Sequence, residues 1–291
     1  MTEDKSGRGS PGLREATPQP GGSASNVVVL LPDQVTARAC LDLGEAAALA
    51  VGGAVRAVHI GADPMAMLGS AEEMDIQLLR EASEGTAKER LARIRGIFED
   101  WRREAPGRSQ VGWRDRSGEI DRCVAAECAD ADLVVAPRTG NLDARDVVHA
   151  VLFQSHRLAL LPPYRPGPAD FLRHVAIGWK PDDHARRAVQ AAQPWLAAAA
   201  RVTAVCVNDG SRTYRSTAAQ WLAQSGIAAE IVGVDSGPQS VADALAGYVA
   251  SIGASCLLTG AYRHGQFLEM LLGRVTHSLL THAEIPLLMM H

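Results

Sequence analysis

The sequence is poor in several things, and each shortage removes a class of protein. It has no basic excess: 29 Lys and Arg stand against 33 Asp and Glu, giving a formal net charge of −4 and a pI near 6.1. No global field therefore gathers nucleic acid or anionic lipid, and neither is an expected partner. No apolar run approaches the roughly 18–20 residues of a membrane span; residues 195–207, among the most apolar, are interrupted by Arg201. Aromatic residues make up 4%. Trp195, Trp221 and Tyr248 are scattered and read as packing residues, not as a stacking platform for bases. Five cysteines are an odd number without a Cys-x-x-Cys pair. Cys206 and Cys256 lie in apolar runs, as small buried hydrophobes do. This usage predicts a reducing compartment, the cytoplasm.

Motifs of catalysis are missing as well. There is no Gly-x-Ser-x-Gly elbow, no Gly-x-x-x-x-Gly-Lys loop and no His-Glu-x-x-His. His277 and His282 are five apart and do not share a helical face as i, i+4 metal ligands would, and His264 adds no pattern to them. His59-Ile-Gly-Ala62 shares three residues with the His-Ile-Gly-His motif of nucleotidylyl transferases but lacks its second histidine, and reads as coincidence. No enzyme and no metal site is expected.

What is present is an ordinary globular balance, 47% hydrophobic and 21% charged, over 291 residues, a length that suggests two domains at roughly 150 residues each. Residues 1–25 hold five Gly, three Pro and four Ser. They show no apolar segment of the kind a signal peptide needs, and are expected to be a disordered tail. Beyond them the chain repeats itself. Asn26-Val-Val-Val-Leu-Leu31 and His174-Val-Ala-Ile-Gly-Trp179 are matching apolar runs. Each is followed by an Ala-rich amphipathic stretch, 35–51 and 183–200, and then by a second run, 55–60 and 202–207. Helices at 72–104 and 213–225 precede strands at 109–114 and 227–234. Helices at 118–129 and 239–252 precede strands at 132–136 and 255–259. Each half closes on an apolar strand, 158–161 and 286–290.

Strands alternating with helices of this length make β-α-β units, which close as a parallel sheet with helices on both faces. The near-continuous apolar strands agree, since both sheet faces are then covered. The expected fold is α/β: two tandem five-stranded parallel-sheet sandwiches of Rossmann-like type, over residues 26–162 and 171–291. Residues 163–170, within the Pro-rich stretch Leu161-Pro-Pro-Tyr-Arg-Pro-Gly-Pro168, form a stiff linker. Leu91, Ile94, Phe98 and Trp101 recur at helical spacing and read as core or interface.

Ligands of open parallel sheets bind beyond the carboxyl ends of the strands, where the winding reverses. After the fourth strand of the second half comes Thr259-Gly-Ala-Tyr-Arg-His-Gly-Gln-Phe-Leu-Glu-Met-Leu-Leu-Gly-Arg-Val-Thr276. Gly260 and Gly273 bracket a loop that opens the last helix. Glycines let backbone amides approach an anion, and a helix amino terminus favours negative charge.

With this loop the tandem β-α-β pattern resembles a tandem universal stress protein, whose fold is that of the adenine-nucleotide alpha-hydrolases. That family's pattern is Gly-x-x-Gly, nine residues, then Gly-Ser or Gly-Thr, and in its nucleotide-binding members the loop wraps the ribose and phosphates of ATP. The resemblance covers residues 26–291 and is strongest over 257–290. It implies that Gly260, Ala261 and Gly273 approach the nucleotide and that the Val275 amide and Thr276 hydroxyl hold phosphate oxygens. It leaves two roles open for Arg263 and Arg274, which stand where the family has Gly and Ser or Thr. Both could pair with phosphate, or Arg263 could itself fill the pocket. Where the family has an acid after the first strand, the second half has Trp179-Lys180-Pro181, with Asp182 and Asp183 further on; Lys180 could attract phosphate.

The first half has an acid in place at Asp33. Its loop after the fourth strand, residues 136–145, holds one glycine, Gly140, and is expected not to bind nucleotide. The resemblance thus implies a non-enzymatic stress-response protein with ATP or another adenine nucleotide in its second half. A scaffold with two degenerate sites and an unidentified protein partner is the alternative, and slow ATP hydrolysis stays open. Members of this family pair edge strands to dimerise. Here 158–161 and 286–290 are expected to pair within one chain as a pseudo-dimer, with a homodimer left open.

Overall fold

The computed structural model describes residues 25–63, 71–163, 170–207, 212–260 and 274–291. The tail to residue 24, most of the expected linker and the segment 261–273 lie outside them. Ten strands form one sheet in the order β3-β2-β1-β4-β5-β10-β9-β6-β7-β8. In the first half these are β1 (Asn26–Leu31), β2 (Ala54–Ala62), β3 (Gly112–Gly118), β4 (Leu133–Val135) and β5 (Leu158–Leu161). In the second they are β6 (Val175–Gly178), β7 (Val202–Val207), β8 (Glu230–Val234), β9 (Cys256–Gly260) and β10 (Leu287–Met290). All pairs within each half are parallel. The halves meet through β5 and β10, which pair antiparallel with Leu160 opposite Leu288. The two closing strands thus protect each other's edges. The outer edges, β3 and β8, are half-exposed, and β3 carries Arg114, Asp115 and Arg116.

Helices cover both faces. In the first half they are α1 (Gln34–Val51), α2 (Ala71–Glu84), α3 (Ala87–Arg103), α4 (Ile120–Cys128) and α5 (Leu142–Phe153). In the second they are α6 (Asp183–Ala191), α7 (Gln193–Ala198), α8 (Arg212–Gln224), α9 (Val241–Ser251) and α10 (Arg274–His282). None of the described helices is long and apolar enough to cross a membrane.

Because side chains alternate along a strand, β1 supplies both cores. Val27, Val29 and Leu31 face one, while Val28 and Leu30 face the other. Each fully buried side chain of this size contributes about 1.5–3 kcal/mol. The structure differs from two independent sandwiches here: each face has one core that runs through both halves. Val27, Phe98 and Trp101 share a cluster with Trp195 and Leu258. Trp195 on α7 donates its indole N–H to the Ala47 carbonyl of α1 at 2.9 Å, a buried bond across the halves. On α1, Gly44 lets the helix settle on β1, since a Cβ there would stand 2.3 Å from the Val29 methyl.

Three expected elements are broken. The helix over 72–104 is two helices: Gly85 takes φ +82°, and Thr86 with Glu89 forms a capping box that starts α3. The stretch 183–200 divides at Ala192, before Pro194 in the first turn of α7. The strand expected at 109–114 begins later, because Pro106–Gln110 forms a 3-10 turn.

Candidate functional site

The strand order reverses between β1 and β4 in the first half and between β6 and β9 in the second, so both crevices lie at carboxyl strand ends. In the second half β9 ends at Gly260, which is buried under the first turn of α6. A Cβ there would lie 3.2 Å from His184 Cβ and 3.3 Å from the Ala185 nitrogen. Gly260 is therefore a packing requirement in its own right, whatever lies beyond it.

Because β10 runs parallel to β9, α10 between them runs back, with its amino terminus at the carboxyl ends of the strands. Arg274, Val275 and Thr276 form that first turn, whose amides have no partner within the helix. The Val275 side chain packs on the core, and Thr276 is 1% exposed. Ala261, Arg263 and Gly273 lie outside the described residues.

Lys180 follows β6 with its ammonium 3.5 Å from an Asp182 carboxylate oxygen, so it is drawn to its own neighbour. Asp182 caps α6, accepting from the Ala185 amide at 3.0 Å. It caps its helix as Asp33 caps α1. Sequence reading had not joined Trp179 and Trp221, whose rings lie 5.4 Å apart at the end of β6. Trp179 is buried, and no described residue accepts from its indole N–H. Their spacing of 42 positions gives no pattern that a single sequence reveals.

In the first half the crevice opens into a cavity of about 650 Å³, lined by Asp33, Gln34, Ser83, Glu84, Arg93 and Asn141 among others. Asp33 is committed to backbone amides. One oxygen accepts from Val35 at 2.7 Å and Thr36 at 3.2 Å, the other from Asn141 at 3.0 Å. Asn141 in turn caps α5 through the Ala144 amide. Gly140 has φ +142°, and a Cβ there would meet Ala144 Cβ at 2.9 Å and Asp33 Cγ at 3.0 Å, so only glycine suits this corner.

The first turn of α5 holds a carboxylate of its own. Asp143 pairs with Arg80 of α2 through contacts of 2.8 and 2.7 Å, with both side chains buried. Burial opposes the charge on Arg80, but the hydrogen bond and field of Asp143 outweigh it and hold the guanidinium above its ordinary range. From the same loop Arg138 donates to the Ala283 carbonyl of the second half at 2.5 Å. The first-half loop is thus an internal joint.

The remaining chemistry is quiet. All five cysteines are free, and burial pushes the thiols of Cys40, Cys256 and Cys128 up, the last to about 12. Such thiols are poor nucleophiles. Among the described residues no group of three or more His, Cys, Asp or Glu is placed to hold a metal. His282 accompanies the Ser278 carbonyl at 3.1 Å on its own helix.

Comparison with known proteins places these features. Residues 172–291 match the universal stress protein family. The fold is similar to that of a universal stress protein from Archaeoglobus fulgidus DSM 4304, with 13% identity, TM-score 0.63 and coverage of 92% of this chain and 96% of that one. It is also similar to a functionally unknown protein from Pseudomonas aeruginosa PAO1, with 12% identity, TM-score 0.52 and coverage of 92% of each chain. Among curated proteins no match was found.

Proposed function

We propose that the chain is a tandem universal stress protein, with units over residues 26–162 and 171–291, whose second half binds an adenine nucleotide. It acts as a cytoplasmic sensor without catalysing a reaction, and it passes the bound state to a protein partner. The observation that carries this reading is a coincidence of position. The family match covers the half in which β9 leads through a long segment, 261–273, to the first turn of α10. A phosphate at that turn meets amide donors and a favourable dipole. Gly260, Ala261 and Gly273 would lie against the sugar and phosphates, Val275 and Thr276 would donate to phosphate oxygens, and Arg263, Arg274 and Lys180 supply positive charge around them.

Isothermal titration of the full chain with ATP and with AMP tests this. Saturable binding that is abolished by Gly273→Glu supports it, because the new carboxylate stands where the phosphate is proposed to lie. A folded wild type that gives no heat with millimolar nucleotide overturns it. One observation favours a ligand-free scaffold instead: Leu78 and Leu79 on α2 are 64% and 72% exposed, an apolar pair on a helix suited to a partner protein. Phosphate release above the enzyme-free blank would revive hydrolysis.

A further inference from the structure

The first half carries a second cavity that the nucleotide reading leaves unused. In the pairing of β2 with β3, His59 stands opposite Asp115 and Gly61 opposite Ser117, near the carboxyl ends of both strands. His59 is 4% exposed, with its Nδ1 2.7 Å from Asp115 Oδ1. Its ring stacks on Trp113 with centroids 6.4 Å apart and planes at 15°. A Cβ on Gly61 would lie 3.0 Å from His59 Cε1, so the bare backbone at 61 is what lets the imidazole lie along β2. Nδ1–H donates to the carboxylate, and the ring nitrogen left over is Nε2, which no described residue bonds.

A cavity of about 200 Å³ opens beside this ring. Its wall includes His59, Gly61 and Ser117 from the strands, Lys88 and Arg90 from the start of α3, and Asp143. Asp143 is the carboxylate in that wall, and Arg80 already neutralises it at 2.7 Å. Arg90 differs from Arg80. It is 7% exposed, donates to the Gly85 carbonyl at 2.6 Å, and has its nearest carboxylate, Glu84, no closer than 4.0 Å. Burial and the neighbouring Arg80 push its pKa below the ordinary guanidinium range. Arg90 is thus a buried cation in the cavity wall, with Glu84 at the outer limit of ion-pair distance and Asp143 already engaged by Arg80.

We propose that this cavity is a binding site for a small organic anion whose charged group is a phosphate monoester or a carboxylate. Arg90 and Lys88 supply the charge, and His59 in its protonated form donates through Nε2–H, its orientation fixed by Asp115. A volume of about 200 Å³ holds the anionic head and few atoms more. The cavity is lined by first-half residues, so the proposal does not depend on the nucleotide reading.

Isothermal titration of the full chain with inorganic phosphate and, separately, with succinate, in chloride buffer near neutral pH, tests it. Saturable binding of at least one anion is expected. Phosphate alone assigns a phosphate ligand, succinate alone a carboxylate, and both together a general anion site. Lys88→Ala, at an exposed position, and His59→Phe, which keeps the stack on Trp113, should each weaken binding about tenfold, the loss of one charge-assisted hydrogen bond. Gly273→Glu should leave it unchanged. No saturable heat with either anion at millimolar concentration overturns the proposal. So does an affinity that neither substitution moves in variants whose circular dichroism melts show a folded chain.

Discussion

In the first half, residues 136–141 carry the chain directly from β4 to α5, and the helix start they reach is tied to the protein. Asp33 accepts from three backbone amides, Asn141 caps the helix, and Arg80 holds Asp143 in its first turn. In the second half the same step takes residues 261–273, and the helix that follows opens with Arg274, Val275 and Thr276, where no acid stands. The halves share one sheet and one strand order, so the contrast at this step lies in the connection after the fourth strand. The first-half helix start is engaged by side chains of its own half, and the proposed function gives the second-half start to a nucleotide.

The comparison can be broken most forcibly at Arg80 and Asp143. Arg80→Ala strands the buried Asp143 carboxylate and should cost about 3–5 kcal/mol in urea unfolding; Asp143→Ala should cost less, because Glu84 still pairs with Arg80 at 3.1 Å. The double replacement Arg80→Met with Asp143→Leu should recover most of that loss. An Arg80→Ala variant within about 1 kcal/mol of wild type would mean that the pair does not close the first-half helix start.

The next largest effect is expected at the joint between halves. Trp195→Phe removes the indole donor and leaves the Ala47 carbonyl buried without it, at a cost of about 1–3 kcal/mol. Thermal unfolding followed separately by near-UV circular dichroism and by proteolysis of each half should still show one transition in wild type, since each core spans both halves. Two separated transitions would contradict the shared cores.

A smaller effect sharpens the contrast between the two caps. Asp33→Ala should cost about 1–2 kcal/mol and Asp182→Ala about 0.5–1 kcal/mol by chemical denaturation. The reason is that Asp33 ties α1 to the start of α5, whereas Asp182 caps its own helix. Equal losses would argue that Asp33 does no more than cap.

The architecture was legible because parallel strands covered on both faces are short apolar runs, and the family resemblance implied the pairing of β5 with β10 that the sheet shows. Boundaries were less legible. The helical stripe Ile94, Phe98, Trp101 hid the break at Gly85, although Thr86 and Glu89 already spelled a capping box. β3 is an edge strand rich in charge, so no apolar run marks it. At the site, Gly260 and the α10 start were readable from glycine spacing. The packing demand on Gly260 was not, because it depends on His184 in a distant helix. Neither was the Arg80–Asp143 pair, which joins residues 63 positions apart through a helix with no counterpart among the described residues of the second half. His59 had only a fragmentary motif to mark it, and its meaning comes from Asp115 on the adjacent strand.

The central claim is that nucleotide enters the second half, at the first turn of α10. Photolabelling the full chain with an azido-ATP, followed by peptide mapping, tests this directly. The account predicts label on the second half, on peptides spanning residues 179–184 and 257–276, with none surviving Gly273→Glu. Label concentrated on peptides around Asp33 and Asn141, or no label that excess ATP displaces, would contradict it.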